Sequence, residues 1–316
     1  MKEKMNFEKF KNAVTDGIRE YLPDQFEIAN VGLQVVTKNN NLQLTGLIIQ
    51  RVGRNIAPTI YLENFYDKYQ EGTDLQEILR LIADMRMEHE VNGDFDVSQI
   101  TDFAKCKDKI FPRLISAGWN KELLENRPHV LIEDLAVTFF INLRDNENGS
   151  MNTQIHNKLM QIWGVTAEEL YELAVKNLSD SDIGTFSPMN EVMAETMLPI
   201  LIAECDGDKD AAVQMIQEIL SSDDDMYILT NKNVNYGASM LLDKSMMQKV
   251  IDRIGEDFYI IPSSVHESIV IPADKNLEHE ELKKMVHEVN VTQVSVEERL
   301  SDNVYRYTMS EGLKLV

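Results

Sequence analysis

Two serines, a histidine and a glutamate lie within five positions in the stretch IIPSSVHESIVIPAD, residues 260–274. A histidine beside a hydroxyl or a carboxylate can act as a general base that activates a nucleophile. Ser263, Ser264, His266 and Glu267 are therefore the candidate site residues, for binding or for catalysis. Neither serine has a Gly-x-Ser-x-Gly elbow, and Val270 stands where a zinc-binding His-Glu-x-x-His helix needs its second histidine.

The alternative to a catalytic cluster is a polar hairpin turn. If residues 265–271 form a strand, successive side chains point to opposite faces, so His266 and Glu267 diverge unless a turn or bulge reorients one of them. Pro262–Ser264 would then form an ordinary connection between the β-rich runs DFYIIP and HESIVIP. We expect an antiparallel hairpin with Ile269 in the core, and with no buried group that depends on the imidazole of His266.

Metal and cofactor motifs are incomplete. The stretch CDGDKDAA resembles the start of an EF-hand loop, but Ala211 replaces the turn glycine and Gln217 the final glutamate. Its aspartates fit a helix cap better. His279 and His287 are eight residues apart on a predicted helix, about 12 Å along its axis, which is too far for one metal ion. We expect no bound metal and no cofactor.

The charge balance excludes one class of partner and favours another. The chain of 316 residues has 53 acidic and 31 basic residues, a formal charge of −22. This charge repels phosphate backbones, so we expect no nucleic-acid partner, and it favours solubility or a basic protein partner. The sixteen methionines fill irregular core gaps or line a peptide groove.

The cysteines and the lengths of the apolar runs predict the cellular compartment of the protein. Cys106 and Cys205 are far apart and form no disulfide framework, which favours a reducing compartment. The N-terminal sequence MKEKMNFEKFKNAV lacks the apolar segment of a signal peptide. No apolar run approaches the roughly 18 residues of a membrane span. The sequence predicts a soluble cytoplasmic protein without a membrane partner.

The first ninety residues predict a helix, a β-hairpin and two more helices. Apolar residues recur at spacings of three and four from Phe7 to Ile18, which is typical of an amphipathic helix. Two β-rich runs follow, separated by Asn39–Asn41, and asparagine tolerates the left-handed conformation of a tight turn. A helix then begins near TIYLENFYDKYQEG, and Thr73 with Gln76 predicts a capping box that opens the next.

Beyond VNGDFD, at 91–96, a larger region begins. The run SQITDFAKCKDKIFPRLIS predicts a helix with a break near Pro112, and HVLIEDLAVTFFINL predicts β-structure. Thr166 and Glu169 form a capping box at the start of a helix. From residue 226 the predicted order is strand, helix, strand, strand, helix.

These patterns predict an α+β fold. Its regions are an N-terminal helix–hairpin–helix region, 1–95, and a C-terminal region, 96–316, which carries the strand–helix–strand–strand–helix unit. The two regions are separate domains or pack as one.

Four blocks of the second half carry a family resemblance through their order: EDLAVTFFINL (133–143), IHNKLMQIWGVTAEELYELAVKNL (155–178), NYGASMLLD (235–243) and GEDFYIIPSSVHESIVIP (255–272). With them the chain resembles an uncharacterised domain-of-unknown-function family of low-GC Gram-positive bacteria. More distantly it is similar to the YtpQ-like family, over about residues 125–290. The resemblance implies no activity and transfers no functional residue.

The sequence therefore favours a non-catalytic cytoplasmic binding or interaction protein with a polypeptide partner. The reason is that the sequence has clear signals for helices and strands but no complete catalytic or metal-binding motif. The alternative is a hydrolase that uses His266 with a serine or a carboxylate from elsewhere in the chain. A pocket that holds His266 with an acid and a nucleophile would favour the enzyme, and an exposed apolar face would favour the binder.

Overall fold

The computed structural model describes residues 4–90, 94–146, 149–220, 226–255, 257–273 and 278–316. Helices and antiparallel sheets are both present, so the predicted α+β class is confirmed. The chain divides into two compact units, Met1–Val97 and Ser98–Val316. Part of the stretch VNGDFD lies outside the described residues.

In its described residues, the N-terminal unit has a three-stranded antiparallel sheet, in the order β1-β2-β3, with three α-helices. Its elements are α1 (Phe7–Gly17), β1 (Ile28–Thr37), β2 (Gln43–Arg51), β3 (Thr59–Tyr61), α2 (Glu63–Glu71) and α3 (Leu75–Glu88). The predicted hairpin is confirmed, and Asn40 and Asn41 have the expected left-handed backbone, with φ of 59° and 58°. The predicted cap of α3 is wrong by one residue, because the Asp74 side chain accepts the hydrogen bond from Gln76 N.

The C-terminal unit contains two antiparallel sheets. Its strands are β4 (Ile110–Ser116), β5 (His129–Ile132), β6 (Leu135–Asn146), β7 (Gly149–Gln154), β8 (Gly184–Pro188), β9 (Tyr227–Asn231), β10 (Asp257–Ile261), β11 (Ser268–Pro272), β12 (Tyr305–Thr308) and β13 (Gly312–Leu315). The four-stranded sheet has β4 on one side of β6, with β5 and β7 on the other. The six-stranded sheet has the order β13-β12-β10-β11-β9-β8.

The helices of this unit are α4 (Ser98–Thr101), α5 (Phe103–Cys106), α6 (Lys121–Glu125), α7 (Asn157–Trp163), α8 (Ala167–Ser181), α9 (Met189–Glu204), α10 (Lys209–Ile219), α11 (Lys244–Ile254) and α12 (His279–Gln293). The capping box of Thr166 and Glu169 at α8 is confirmed. Asp208 caps α10 through Asp210 N and Ala211 N, so the acidic stretch begins a helix, as the sequence indicated. None of the described helices combines the length and apolar character that crossing a membrane requires.

The helix predicted for SQITDFAKCKDKIFPRLIS is confirmed at α4 and α5 and is wrong around Pro112, because residues 110–116 form strand β4. β4 lies at an edge of the four-stranded sheet and pairs with β6 alone, with Pro112 opposite Phe139. Proline has no N–H to donate, and an edge strand has one side that needs no donor. The physical reason for the error is therefore that an apolar run with a proline fits both a broken helix and an edge strand.

The main core of the C-terminal unit lies between the two sheets and helices α8 and α11. It includes Phe139 of β6, Leu170 of α8, Val250 of α11 and Phe258 of β10. Cys106 is buried in this core, and Cys205 is partly exposed on another element, so both are free thiols.

Candidate functional site

The stretch that holds the sequence-predicted site joins β10 to β11. The two strands pair antiparallel, with Ile261 opposite Ile269, so the predicted hairpin is confirmed. The second strand begins at Ser268 rather than His266, and residues 262–267 form a folded connection. Val265 turns inward from this connection and is buried in the main core. The strand-based prediction for the faces of His266 and Glu267 therefore does not apply.

His266 is held by a second loop, so its imidazole has a partly buried partner that the sequence did not predict. Its Nδ1 accepts a hydrogen bond from Tyr236 N at 3.2 Å, and the two rings stack with centroids 5.8 Å apart. Its Nε2 lies 3.8 Å from Oε1 of Glu298. Burial lowers the pKa of His266, the charge of Glu298 raises it, and that of Arg113 lowers it, with a net lowering. Because Nδ1 accepts the hydrogen bond from Tyr236 N, the proton of the neutral imidazole lies on Nε2.

Of the other three predicted residues, Glu267 acts on the imidazole through its charge, which raises the pKa of His266, and neither serine is bonded to the ring. Ser264 Oγ accepts a hydrogen bond from the backbone N of His266, which closes the turn. Ser263 Oγ lies 3.5 Å from Oε1 of Glu267. The carboxylate that the structure brings to His266 is Glu298. Among the described residues, no serine or cysteine side chain is hydrogen-bonded to the His266 ring, so a nucleophile–base pair is not assembled.

The loop that holds His266 is strained. Val234 and Tyr236 have φ of 46° and 53°, a region that a β-branched or bulky side chain rarely occupies. Asn231 stabilises this conformation, because its Oδ1 accepts from Asn233 N and Asn235 N, and its Nδ2 donates to Asn235 O. Such strain persists where the surroundings determine it, and it occurs often at functional sites.

We expect Gly237→Ala to lower the free energy of unfolding of the C-terminal unit by about 3 kcal/mol, the upper end for overpacking. A Cβ at this position would lie 2.3 Å from the backbone O of His266 and 2.2 Å from Thr230 Oγ1. The control is Gly118→Ala, where no atom lies within 4 Å of the new Cβ. Urea unfolding should show a change below about 0.5 kcal/mol for the control. Equal effects of the two substitutions would mean that the two loops do not contact one another closely in solution.

An apolar groove lies on the other side of this connection. Ile228, Ile261, Ile269 and Ile271 project from β9, β10 and β11 to the same face of the six-stranded sheet, opposite the main core. Two adjoining cavities, of about 350 Å³ and about 420 Å³, lie over this face and share Ile269. We call them together the outer groove.

The walls of the outer groove are helices α9 and α12. α12 contributes Leu282, Met285, Val286 and Val289, and α9 contributes Met189, Val192, Met193 and Met197. Met285 is 59% exposed and Met193 is 42% exposed. Ser263 and Glu267 line the groove, whereas His266 faces Tyr236. The structure thus divides the predicted site between two places.

Sequence reasoning missed both the α9 wall and the loop at 231–237. A signal for α9 was present in its composition, since apolar residues occur around its whole circumference. In the structure, Leu201 is the residue of α9 that is buried. A helix that is apolar all round normally lies inside a protein. The loop at 231–237 gave no such signal, because its role depends on contacts with a residue thirty positions away.

His279 and His287, the candidate metal ligands on α12, are each hydrogen-bonded to another side chain of the protein. His279 Nε2 lies 2.9 Å from the hydroxyl of Tyr259, and His287 Nδ1 lies 2.8 Å from Oδ2 of Asp302. Within the described ranges, no group of three or more His, Cys, Asp and Glu side chains is arranged to hold a metal ion.

The chain belongs to the family of unknown function DUF5688, whose model matches residues 7–309. The match includes both compact units. No curated protein and no solved structure matches the chain.

Proposed function

We propose that this protein binds a polypeptide partner without catalysis, and that the outer groove receives a basic, amphipathic helix of that partner. The observation that carries the proposal is an exposed apolar groove whose rim is acidic. Large exposed apolar surfaces on soluble proteins commonly mark interaction sites. A groove between two helices suits a third helix that inserts residues from one face.

The apolar floor and walls of the outer groove would bind apolar side chains of the partner and accept side chains of different shape. The isoleucines of the sheet form the floor, and methionines at 189, 193, 197, 226 and 285 form much of the walls. Methionine is flexible and polarizable, so a methionine-lined groove adapts to side chains of different shape. These properties favour a helical peptide over a small molecule with a fixed outline.

The charges around the groove define the partner as basic. Glu195 is exposed on α9, three residues after the groove-lining Val192, and residues 177–208 contain no lysine or arginine. On α12, Glu281 and Glu288 lie four residues before and three residues after Met285, so they occupy the same side of the helix. Lysines or arginines on the partner would meet opposite charge, which directs and accelerates association. An anionic membrane surface would be repelled.

The second candidate, a hydrolase, has one supporting observation. The pairing of His266 with Glu298 provides a histidine and a carboxylate, as that hypothesis requires. The serines beside it are engaged elsewhere, Ser264 with the backbone and Ser263 towards the outer groove. The binding function has more support, because its groove is present without rearrangement. We propose the cytoplasm as its compartment, since Cys106 and Cys205 are free thiols.

The test uses a fluorescent amphipathic peptide of leucine and lysine with helical spacing, titrated with the full chain and followed by anisotropy. We expect saturable binding that weakens with added salt, and no binding of a leucine–glutamate peptide of the same pattern. The double variant Met193→Gln/Met285→Gln should weaken binding at least about tenfold, because two buried methionine contacts are lost.

The matched control is Met309→Gln, at a methionine that is 57% exposed and does not line the groove. It should bind the peptide as the wild type does. Equal affinity of the wild type and the double variant would overturn the proposal, as would equal binding of the acidic peptide. Binding to phosphatidylglycerol vesicles but to neither peptide would indicate a membrane surface instead.

A further inference from the structure

The sheet of the N-terminal unit has an open edge at strand β1. β1 pairs with β2, and no other strand among the described residues pairs with it. It runs for ten residues, whereas β3, at the other end of the same sheet, has three. A strand at the end of a sheet presents unpaired N–H and C=O groups, which can bind another strand.

The register with β2 shows which backbone groups of β1 point outward. Val35 is opposite Thr45. The N–H of Thr45 donates to Oε1 of Glu63 at 2.6 Å, and its C=O accepts from Leu62 N at 3.0 Å, so both groups point away from β1. In an antiparallel pair, the residue opposite then also directs its N–H and C=O outward. The same direction recurs at every second residue of β1: Val31, Leu33, Val35 and Thr37.

β1 lacks the features that limit pairing at other sheet ends of this protein. Prolines, charged side chains and bulges commonly prevent an edge strand from joining a second sheet. The end strand β4 contains Pro112, β8 contains Pro188 and β13 contains Lys314. β1 has no proline and no charge in its ten residues, although 27% of the chain is charged. Its bulge lies at its beginning, between Ile28 and Asn30, so the rest of the strand is regular.

The side chains along this edge are apolar and exposed. Leu33 and Val35 project to the same face of the sheet, and Val35 is 68% exposed. Leu33 is opposite Leu47, which is buried in the core of the N-terminal unit, so the apolar face of the sheet extends to the open edge. A strand added at this edge would bury these side chains and satisfy the outward backbone groups.

We propose that β1 pairs antiparallel with β1 of a second copy of the chain, which joins two three-stranded sheets into one sheet of six strands. The run NVGLQVVT is self-complementary in this arrangement. With Gln34 opposite its own counterpart, Leu33 lies opposite Val35 of the second copy. In the same register, Val31 lies opposite Thr37. These are the residues whose N–H and C=O point outward, so they form the hydrogen-bonded pairs.

The charge of the protein favours a second copy at this edge over a charged peptide. Two chains that each carry a charge of −22 repel one another, so they associate best through a surface without acidic side chains. Like charges directly opposite one another destabilise a strand pair. The register about Gln34 avoids this, because it places Glu27 opposite Asn41 and Lys38 opposite Asn30.

The arrangement also predicts how the assembly ends. A two-fold pair uses the β1 edge of both copies, so association stops at a dimer. One pair of strands is a small interface, below about 1,200 Å², and the dimer should therefore dissociate reversibly on dilution.

Sedimentation velocity of the full chain over a range of concentrations tests the proposal. We expect a reversible monomer–dimer equilibrium. Val35→Pro should weaken dimerisation at least about tenfold, because proline removes an outward N–H and its ring occupies the edge. The monomer should remain folded by circular dichroism, since that N–H takes no part in the pairing with β2. Val35→Thr is the matched control, because threonine is β-branched and keeps the N–H, so it should dimerise nearly as the wild type does.

Residue-resolved amide exchange of the wild type gives a second measurement. The amides of Leu33 and Val35 should exchange slowly at high protein concentration and rapidly at low concentration, whereas that of Gln34, which points to β2, should exchange slowly at both. A chain that is monomeric at every concentration would overturn the proposal, as would a dimer that Val35→Pro leaves intact. Equal loss of the dimer in Val35→Pro and Val35→Thr would exclude pairing through the backbone.

Discussion

Glu90→Gln should lower the free energy of unfolding of the N-terminal unit by about 3 kcal/mol, at the low end for breaking a buried ion pair. Arg86 is 1% exposed, and its guanidinium pairs with the Glu90 carboxylate. Its Nε donates to Ile49 O at 3.1 Å, and it lies over the ring of Phe26. Removing the carboxylate charge would leave this cation inside the unit with its main counter-charge gone.

The same pair should make the N-terminal unit sensitive to acid. Burial raises the pKa of Glu90, but the hydrogen bonds and charges of Arg86 and Arg51 together lower it below its ordinary value of 4.5. A lowered carboxyl pKa contributes stability above the unfolded-state value, and this stability is lost as the pH falls through the folded-state value. The difference between wild type and Glu90→Gln should therefore shrink from about pH 7 to about pH 3.

The measurement is hydrogen–deuterium exchange of peptides from β2 under increasing urea. Glu8→Gln is the control, because Glu8 pairs with Lys11 in the same unit but is 77% exposed at its side chain. It should cost less than about 1 kcal/mol. The double variant Arg86→Met/Glu90→Leu should recover much of the loss, since replacing both partners leaves no unpaired charge. An unchanged stability of Glu90→Gln would show that Arg86 is solvated in solution.

Phe258→Ala should lower the free energy of unfolding of the C-terminal unit by about 3–5 kcal/mol, through lost contacts and the cavity that remains. Phe258 is fully buried in the main core, and its ring stacks on Tyr307 with centroids 5.1 Å apart. It lies in the hairpin of β10 and β11, on the face opposite the outer groove.

Ile269→Ala, in the same hairpin, should cost about 1–2 kcal/mol, which is less than a fully buried position would give. The sequence placed Ile269 in the core, but the structure places it on the floor of the groove, where it is half-buried. Urea unfolding followed by tryptophan fluorescence reports this unit, because Trp119 and Trp163 both belong to it. If the two substitutions cost the same, the groove is closed in solution and the binding proposal loses its site.

Local interactions account for the parts of the fold that the sequence predicted. The capping box of Thr166 and Glu169 is complete within four residues, and the turn at Asn40 and Asn41 needs left-handed backbone that asparagine tolerates. The pairing of the β10–β11 hairpin follows from two apolar β-rich runs and a short connection. In each case the physical cause acts over a few residues, so a single sequence contains it.

Strand β4, the contacts of His266 and the outer groove depend on tertiary structure. Strand β4 exists because β6 offers it a partner, and the local pattern around Pro112 permits a helix equally well. His266 depends on Tyr236, which is thirty residues away, and the outer groove forms between α9 and α12, which are about ninety residues apart. Composition shows that these residues are present, but their proximity depends on strand order and on helix packing, which no local pattern encodes.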